Sequence, residues 1–154
     1  MSKSFKYYLN TRSIMNSRTY LAILVAVLIA CACLSTSVAA DSMVSGLNST
    51  SDFSNAVNLA KTQNKTILLI FDQDSCVYCD LLKENTLSDS NIQKELNGNY
   101  ITVFVDINKD YALAEKYRIH GTPSMVFIDS DGGELGRIGG YVGADELLNE
   151  IERM

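Results

Sequence analysis

Three short apolar runs constrain the fold most: "ILLIF" at 67–71, "YITVFV" at 100–105 and "SMVFI" at 124–128. Each is too short for a buried helix and has almost no polar interruption, so each predicts a strand covered on both faces. The stretches between them have helical spacing. Phe53, Ala56, Val57 and Ala60 follow Ser51 or Asp52 as a cap, and residues 79–87 continue as a helix with Leu81 and Leu82 inward. Residues 88–99 give a short helix with Gly98 near its end, residues 110–119 another, and residues 144–154 an amphipathic one with Leu147, Leu148 and Ile151 on one side. The turn signal "SDGG" at 130–133 precedes a short strand at 134–140. The order α, β, α, α, β, α, β, β, α predicts an α/β sandwich, a central mixed sheet of about four strands flanked by helices.

The chain has 154 residues, but the folded unit is expected to be smaller. Residues 20–34, "YLAILVAVLIACACL", are apolar and uncharged. Lys3, Lys6, Arg12 and Arg18 lie ahead of them and the small residues "STSVAA" follow. That is the layout of a secretory signal. Fifteen residues at about 1.5 Å each reach about 22 Å, short of a hydrocarbon core of about 30 Å, although extension through Ala40 makes an uncleaved anchor long enough. Val38-Ala39-Ala40 fits cleavage before Asp41, whereas Leu28-Ile29-Ala30-Cys31 fits a lipid-modified Cys31 and hence a membrane tether. Met15 also starts a more compact signal by itself. The expected organisation is a signal peptide or anchor over 1–40, a polar linker over 41–51 and one domain over 52–154, placed outside the cytoplasm.

Charge divides at the same boundary. Four of the 13 basic residues precede position 41 and all 18 acidic residues follow it, so the remainder has a net charge of −9. Such an acidic domain is a poor nucleic-acid binder, because phosphate contacts need clustered Lys and Arg. Proteins or small molecules are the expected partners.

Of four cysteines, Cys31 and Cys33 lie in the signal-like segment, leaving Cys76 and Cys79 in "DSCVYC" at the exit of the first apolar run. Three uses compete. A structural zinc wants four ligands, and the domain offers two cysteines and its single histidine, His120, so carboxylates would have to complete the set. A static crosslink over so few residues removes little unfolded-state entropy. A redox pair fits the placement: a sulfur at the start of a helix is biased toward thiolate, and a second thiol one turn later can resolve a mixed disulfide. On that reading Cys76 is the nucleophile and Cys79 the resolver.

A strand leading to Cys-x-x-Cys, then a β-α unit, then Gly121-Thr122-Pro123 before an apolar strand, then "DGGELGRIGGYVGADELL", resembles the thioredoxin superfamily from about residue 52 to the end. Pro123 is the chain's only proline. The resemblance implies a thioredoxin-like sandwich, a cis Thr122–Pro123 bond beside the sulfurs, and a Thr122 backbone open to an extended substrate segment by strand addition. It implies a thiol-disulfide oxidoreductase acting on protein disulfides outside the cytoplasm, with no bound cofactor or metal and with a redox partner that recycles Cys76–Cys79. Tyr78, Thr122 and Pro123 are the expected substrate contacts. Gly139 and Gly140 resemble the glycine that admits substrate behind the site. A non-catalytic binding module of the same fold, with a structural or vestigial cysteine pair, is the alternative.

The sequence also departs from the pattern. No Trp precedes the motif, no Pro lies within it, and the position six before the first cysteine is Ile70 rather than the family's buried Asp. Asp72 is available instead, though a carboxylate at a strand exit is ordinarily solvated, and His120 reads as a solvated loop residue. Asp72, Asp74 and Asp80 flank the pair, and each disfavours thiolate by up to about 1 kcal/mol. A helix terminus opposes them by a similar amount.

Overall fold

The computed structural model describes residues 43–153, so the expectations for residues 1–40 lie outside the described residues. Five strands form one sheet: β1 (Ser49–Thr50), β2 (Thr66–Asp72), β3 (Tyr100–Asp106), β4 (Ser124–Ile128) and β5 (Glu134–Gly139). They lie in the order β1-β3-β2-β4-β5. The β1–β3 and β3–β2 pairs are parallel, and the β2–β4 and β4–β5 pairs are antiparallel. The helices are α1 (Phe53–Gln63), α2 (Val77–Leu81), α3 (Ser90–Asn99), α4 (Tyr111–Lys116) and α5 (Ala144–Glu152). Aspartates start three of them. Asp52, Asp89 and Asp110 accept hydrogen bonds from backbone N–H groups of α1, α3 and α4, each cap contributing about 1 kcal/mol.

The sheet is covered on both sides, which explains the unbroken apolar runs. Leu68 and Ile70 of β2 join Phe104, Met125 and Phe127 on one face, packed with Leu82, Ile92, Leu96 and Leu147 from helical segments. Ile67, Leu69 and Phe71 join Val103, Val105, Val126 and Ile128 on the other, packed with Ala56, Ala60, Leu113 and Tyr117. All five residues from Ile67 to Phe71 are buried, and full burial of each such side chain is worth about 1.5–3 kcal/mol.

Two features differ from expectation. The stretch 41–51, expected as a linker, carries the fifth strand, and its Val44 and Leu47 are buried in the core with Ile92 and Leu96 of α3. Polar contacts fasten it: Gln93 donates to the Ser45 carbonyl, Asn97 donates to the Gly46 carbonyl, and Asn48 N–H donates to Asn97. Two apolar residues and a two-residue strand show no period, so the pattern was invisible. The second helix, expected to run on through Leu87, widens after Leu81 into a π turn over Leu82–Thr86, with Leu87 N–H reaching the Leu82 carbonyl. Cys79 and Leu82 point inward, while Leu81 is only half-buried.

The β4–β5 turn is organised by Asp129, whose Oδ1 accepts from the backbone N–H groups of Gly133 and Asp131 at 2.8 and 2.9 Å. Gly132 there has φ +86°, a conformation that favours glycine. The Gly133 N–H first, and then that of Asp131, hold the Asp129 carboxyl below the usual carboxylate range. Lys109 does the same for Asp106, and Arg137 for Glu134. A depressed folded value gives stability that is present above the unfolded pKa of about 4 and lost as pH falls through the folded value. Urea midpoints are therefore expected to fall as pH drops below about 4. Asp129→Asn should flatten part of that slope; an unchanged slope would contradict the assignment.

Candidate active site

Strands β2 and β3 are parallel and in register, so Asp72 and Asp106 end side by side. The chain leaves β2 through an exposed turn in which Ser75 has φ +61°, and Cys76 then caps α2. Its carbonyl accepts from the N–H groups of Cys79 and Asp80, and its Sγ accepts from Cys79 N–H at 3.2 Å. Cys76 and Cys79 are joined by a disulfide. The two sulfurs differ in access: Cys79 is buried at 2% exposure and Cys76 is half-buried. Beside Cys76, Val77 and Tyr78 stand out into solvent at 69% and 62% exposure.

The fold brings the distant Gly121-Thr122-Pro123 stretch onto this pair. Thr122 Oγ1 lies 3.4 Å from Cys76 Sγ, as donor to sulfur, and the Thr122–Pro123 bond is cis. The Pro123 carbonyl accepts from Gly140 N–H at 2.8 Å, and Ser124 is registered with Gly139, so the glycines lie next to the proline. A groove of about 340 Å³ runs here, lined in part by His120, Gly121, Thr122, Pro123, Gly139 and Gly140. His120 is exposed, as expected for a loop residue. Among the described residues no cluster of three or more His, Cys, Asp or Glu is arranged to hold a metal ion.

The structure corrects the expectation that Asp72 is solvated. Asp72 is 6% exposed, and its carboxylate meets the ammonium of Lys83 in the π turn at 2.5 Å. Sequence reasoning did not single out Lys83; its place four residues after Cys79 was the available signal. Both residues line a second cavity of about 510 Å³, together with Asp74, Asp80, Asp106 and Lys109. There Asp106 raises the Lys109 pKa above the usual lysine value, chiefly through their hydrogen bond.

A family model described as a thioredoxin-like domain matches residues 53–154. The chain belongs to the thioredoxin-like domain family. The thiol:disulfide interchange protein DsbD of Yersinia pestis is 31% identical over an alignment of 100 residues that covers 61% of this chain and 17% of that protein. The chain thus spans less than a fifth of the curated relatives it matches. A thioredoxin from Thermus thermophilus is similar in structure, with a TM-score of 0.60 and 27% identity over 66% of this chain and 82% of that one. The oxidised C-terminal domain of Neisseria meningitidis DsbD shares the fold, with a TM-score of 0.56 and 21% identity over 65% and 90% of the two chains. The five-stranded sheet is a thioredoxin-like fold with one strand more than the sequence indicated.

Proposed function

We propose that this protein is a thiol-disulfide oxidoreductase that acts on disulfides of extracytoplasmic proteins through a dithiol/disulfide cycle of Cys76 and Cys79. One observation carries the reading: a disulfide with one buried and one accessible sulfur, the accessible one touching Thr122 beside Pro123. In the reducing direction the Cys76 thiolate attacks a substrate disulfide, a Cys76–substrate S–S bond forms, and the first substrate sulfur leaves and takes a proton. Cys79 then loses its proton and attacks Cys76 Sγ. The Cys76–Cys79 bond forms, the second substrate sulfur leaves and is protonated, and two electrons have passed to the substrate. A partner dithiol restores the pair, and the cycle as proposed uses no bound cofactor. The substrate segment lies against Tyr78 and along Thr122 and Pro123, where backbone pairing gives affinity with little sequence selectivity.

The basic residues ahead of the apolar segment 20–34 support export. Leu28 to Cys31 supports a lipid tether at Cys31, and Val38-Ala39-Ala40 supports release before Asp41. The mass of the mature N-terminus separates the two.

The test of the activity is turnover of a protein disulfide by the wild type and by Cys76→Ser. The variant is expected to fall to the background of the buffer thiol; equal rates would leave only the binding-module reading. Thr122 gives a finer prediction. Its hydroxyl donates to Cys76 sulfur, and such a bond has a net worth of about 1 kcal/mol, more when the acceptor is charged. Thr122→Val in a Cys79→Ser background is therefore expected to slow alkylation of Cys76 at neutral pH about fivefold or more. An unchanged alkylation rate would remove Thr122 from the site.

A further inference from the structure

Asp72 lies four residues before Cys76 and Lys83 four residues after Cys79, so their ion pair closes over the segment that carries both sulfurs. Among the described residues it is the one ion pair with both side chains less than a quarter exposed, at 8% for Asp72 and 24% for Lys83. Both of its ends are fixed. The Asp72 carbonyl accepts from Ile107 N–H at 3.0 Å, and the Lys83 ammonium lies 5.6 Å from the ring centroid of Phe104. At four residues from Cys79, Lys83 falls on the same face of the helical segment, toward the interior. Stability does not account for this arrangement, because well-packed apolar residues commonly replace a buried ion pair at no loss. Its place along the chain does: Asp72 ends the strand that leads to Cys76 and Lys83 follows Cys79 by one helical turn, and this segment changes charge as it works.

We propose that Asp72 and Lys83 are positioning residues that set the reduction potential of the Cys76–Cys79 couple by presenting it with two opposed, balanced charges. The disulfide is neutral, whereas the reduced pair carries negative charge on sulfur to the extent that Cys76 is thiolate. A carboxylate left alone next to this segment disfavours the reduced form, and an ammonium left alone favours it. The inference rests on the redox reading of the pair but on no particular substrate.

The experiment equilibrates the protein in graded glutathione buffers, in which the Cys76–Cys79 bond breaks and two glutathiones join, their two protons passing to the cysteines. Alkylation and mass then read the oxidised fraction. Lys83→Gln is expected to move the equilibrium toward disulfide and Asp72→Asn toward dithiol, each about tenfold, or about 30 mV for two electrons. The double variant is expected to return to within about threefold of the wild type. A support that is only mechanical predicts shifts of the same sign in both single variants and no recovery in the double. That pattern, or single variants within twofold of the wild type, would overturn the proposal. If one single variant misfolds, a shift of the other opposite to the direction given, or within twofold of the wild type, still overturns the proposal. Asp72→Asn is the safer, because the Lys83 side chain that it leaves without its partner keeps 24% of its surface exposed. A wild-type pair that fails to exchange with glutathione at all would overturn the oxidoreductase reading itself, an outcome distinct from exchange without the expected shifts.

Discussion

Cys79→Ser is expected to convert the protein into a trap that accumulates covalent adducts with protein disulfides, approaching one per chain. The reason is the unequal access of the two sulfurs. Cys76 is partly open, next to the exposed Tyr78 and Val77, whereas Cys79 has 2% of its surface exposed and lies behind it. An incoming disulfide thus meets Cys76 first, and the sulfur positioned to release the adduct is the one already bonded to Cys76 in the resting structure. Serine at position 79 keeps the size and the helix but lacks a competent nucleophile, so the first S–S bond forms and the second exchange has no agent. Non-reducing electrophoresis should show high-mass species that collapse on addition of dithiothreitol. Cys76→Ser should show none. Adducts in equal amount from both variants would mean that the two sulfurs are interchangeable, and the assignment of roles would fall.

Phe127→Ala should have the largest effect on stability. Phe127 lies on β4, between β2 and β5, opposite Leu68, with no exposed surface. Its ring meets Tyr100 edge-on at 5.7 Å between centroids. Truncation removes the transfer energy of the ring and leaves a cavity that a sheet held from both sides cannot close, a loss of about 3–5 kcal/mol. At about 4 °C or more per kcal/mol for a domain of this size, the calorimetric midpoint should drop by at least about 10 °C. A drop below about 3 °C would mean that the core relaxes around the gap.

The strands and the helices that start on aspartate were legible because their signals are local. Ile67 to Phe71 forms a contiguous apolar run, and a carboxylate followed by helical spacing is a start signal within four residues. The sulfurs and Pro123 were legible as a pair of motifs, and the structure places Thr122 within 3.4 Å of Cys76. The missed features are tertiary. Nothing near Val44 or Leu47 announces that α3 will cover them. The hydrogen-bonded contacts of Asn97 and Gln93 that fasten this stretch join residues about 50 positions apart. Asp72 looked solvated because a carboxylate at a strand exit ordinarily is, and its burial goes with its contact to Lys83, delivered by a turn one residue wider than an α-helix.

The docking of Val44 and Leu47 also moves the practical boundary of the domain. A fragment cut at Asp52, where periodicity first becomes visible, would discard two apolar plugs and bare the Ile92 and Leu96 surface they seal. Truncations meant to isolate the redox unit should therefore begin no later than residue 43, or they will produce a sticky protein whose faults have nothing to do with its sulfur chemistry.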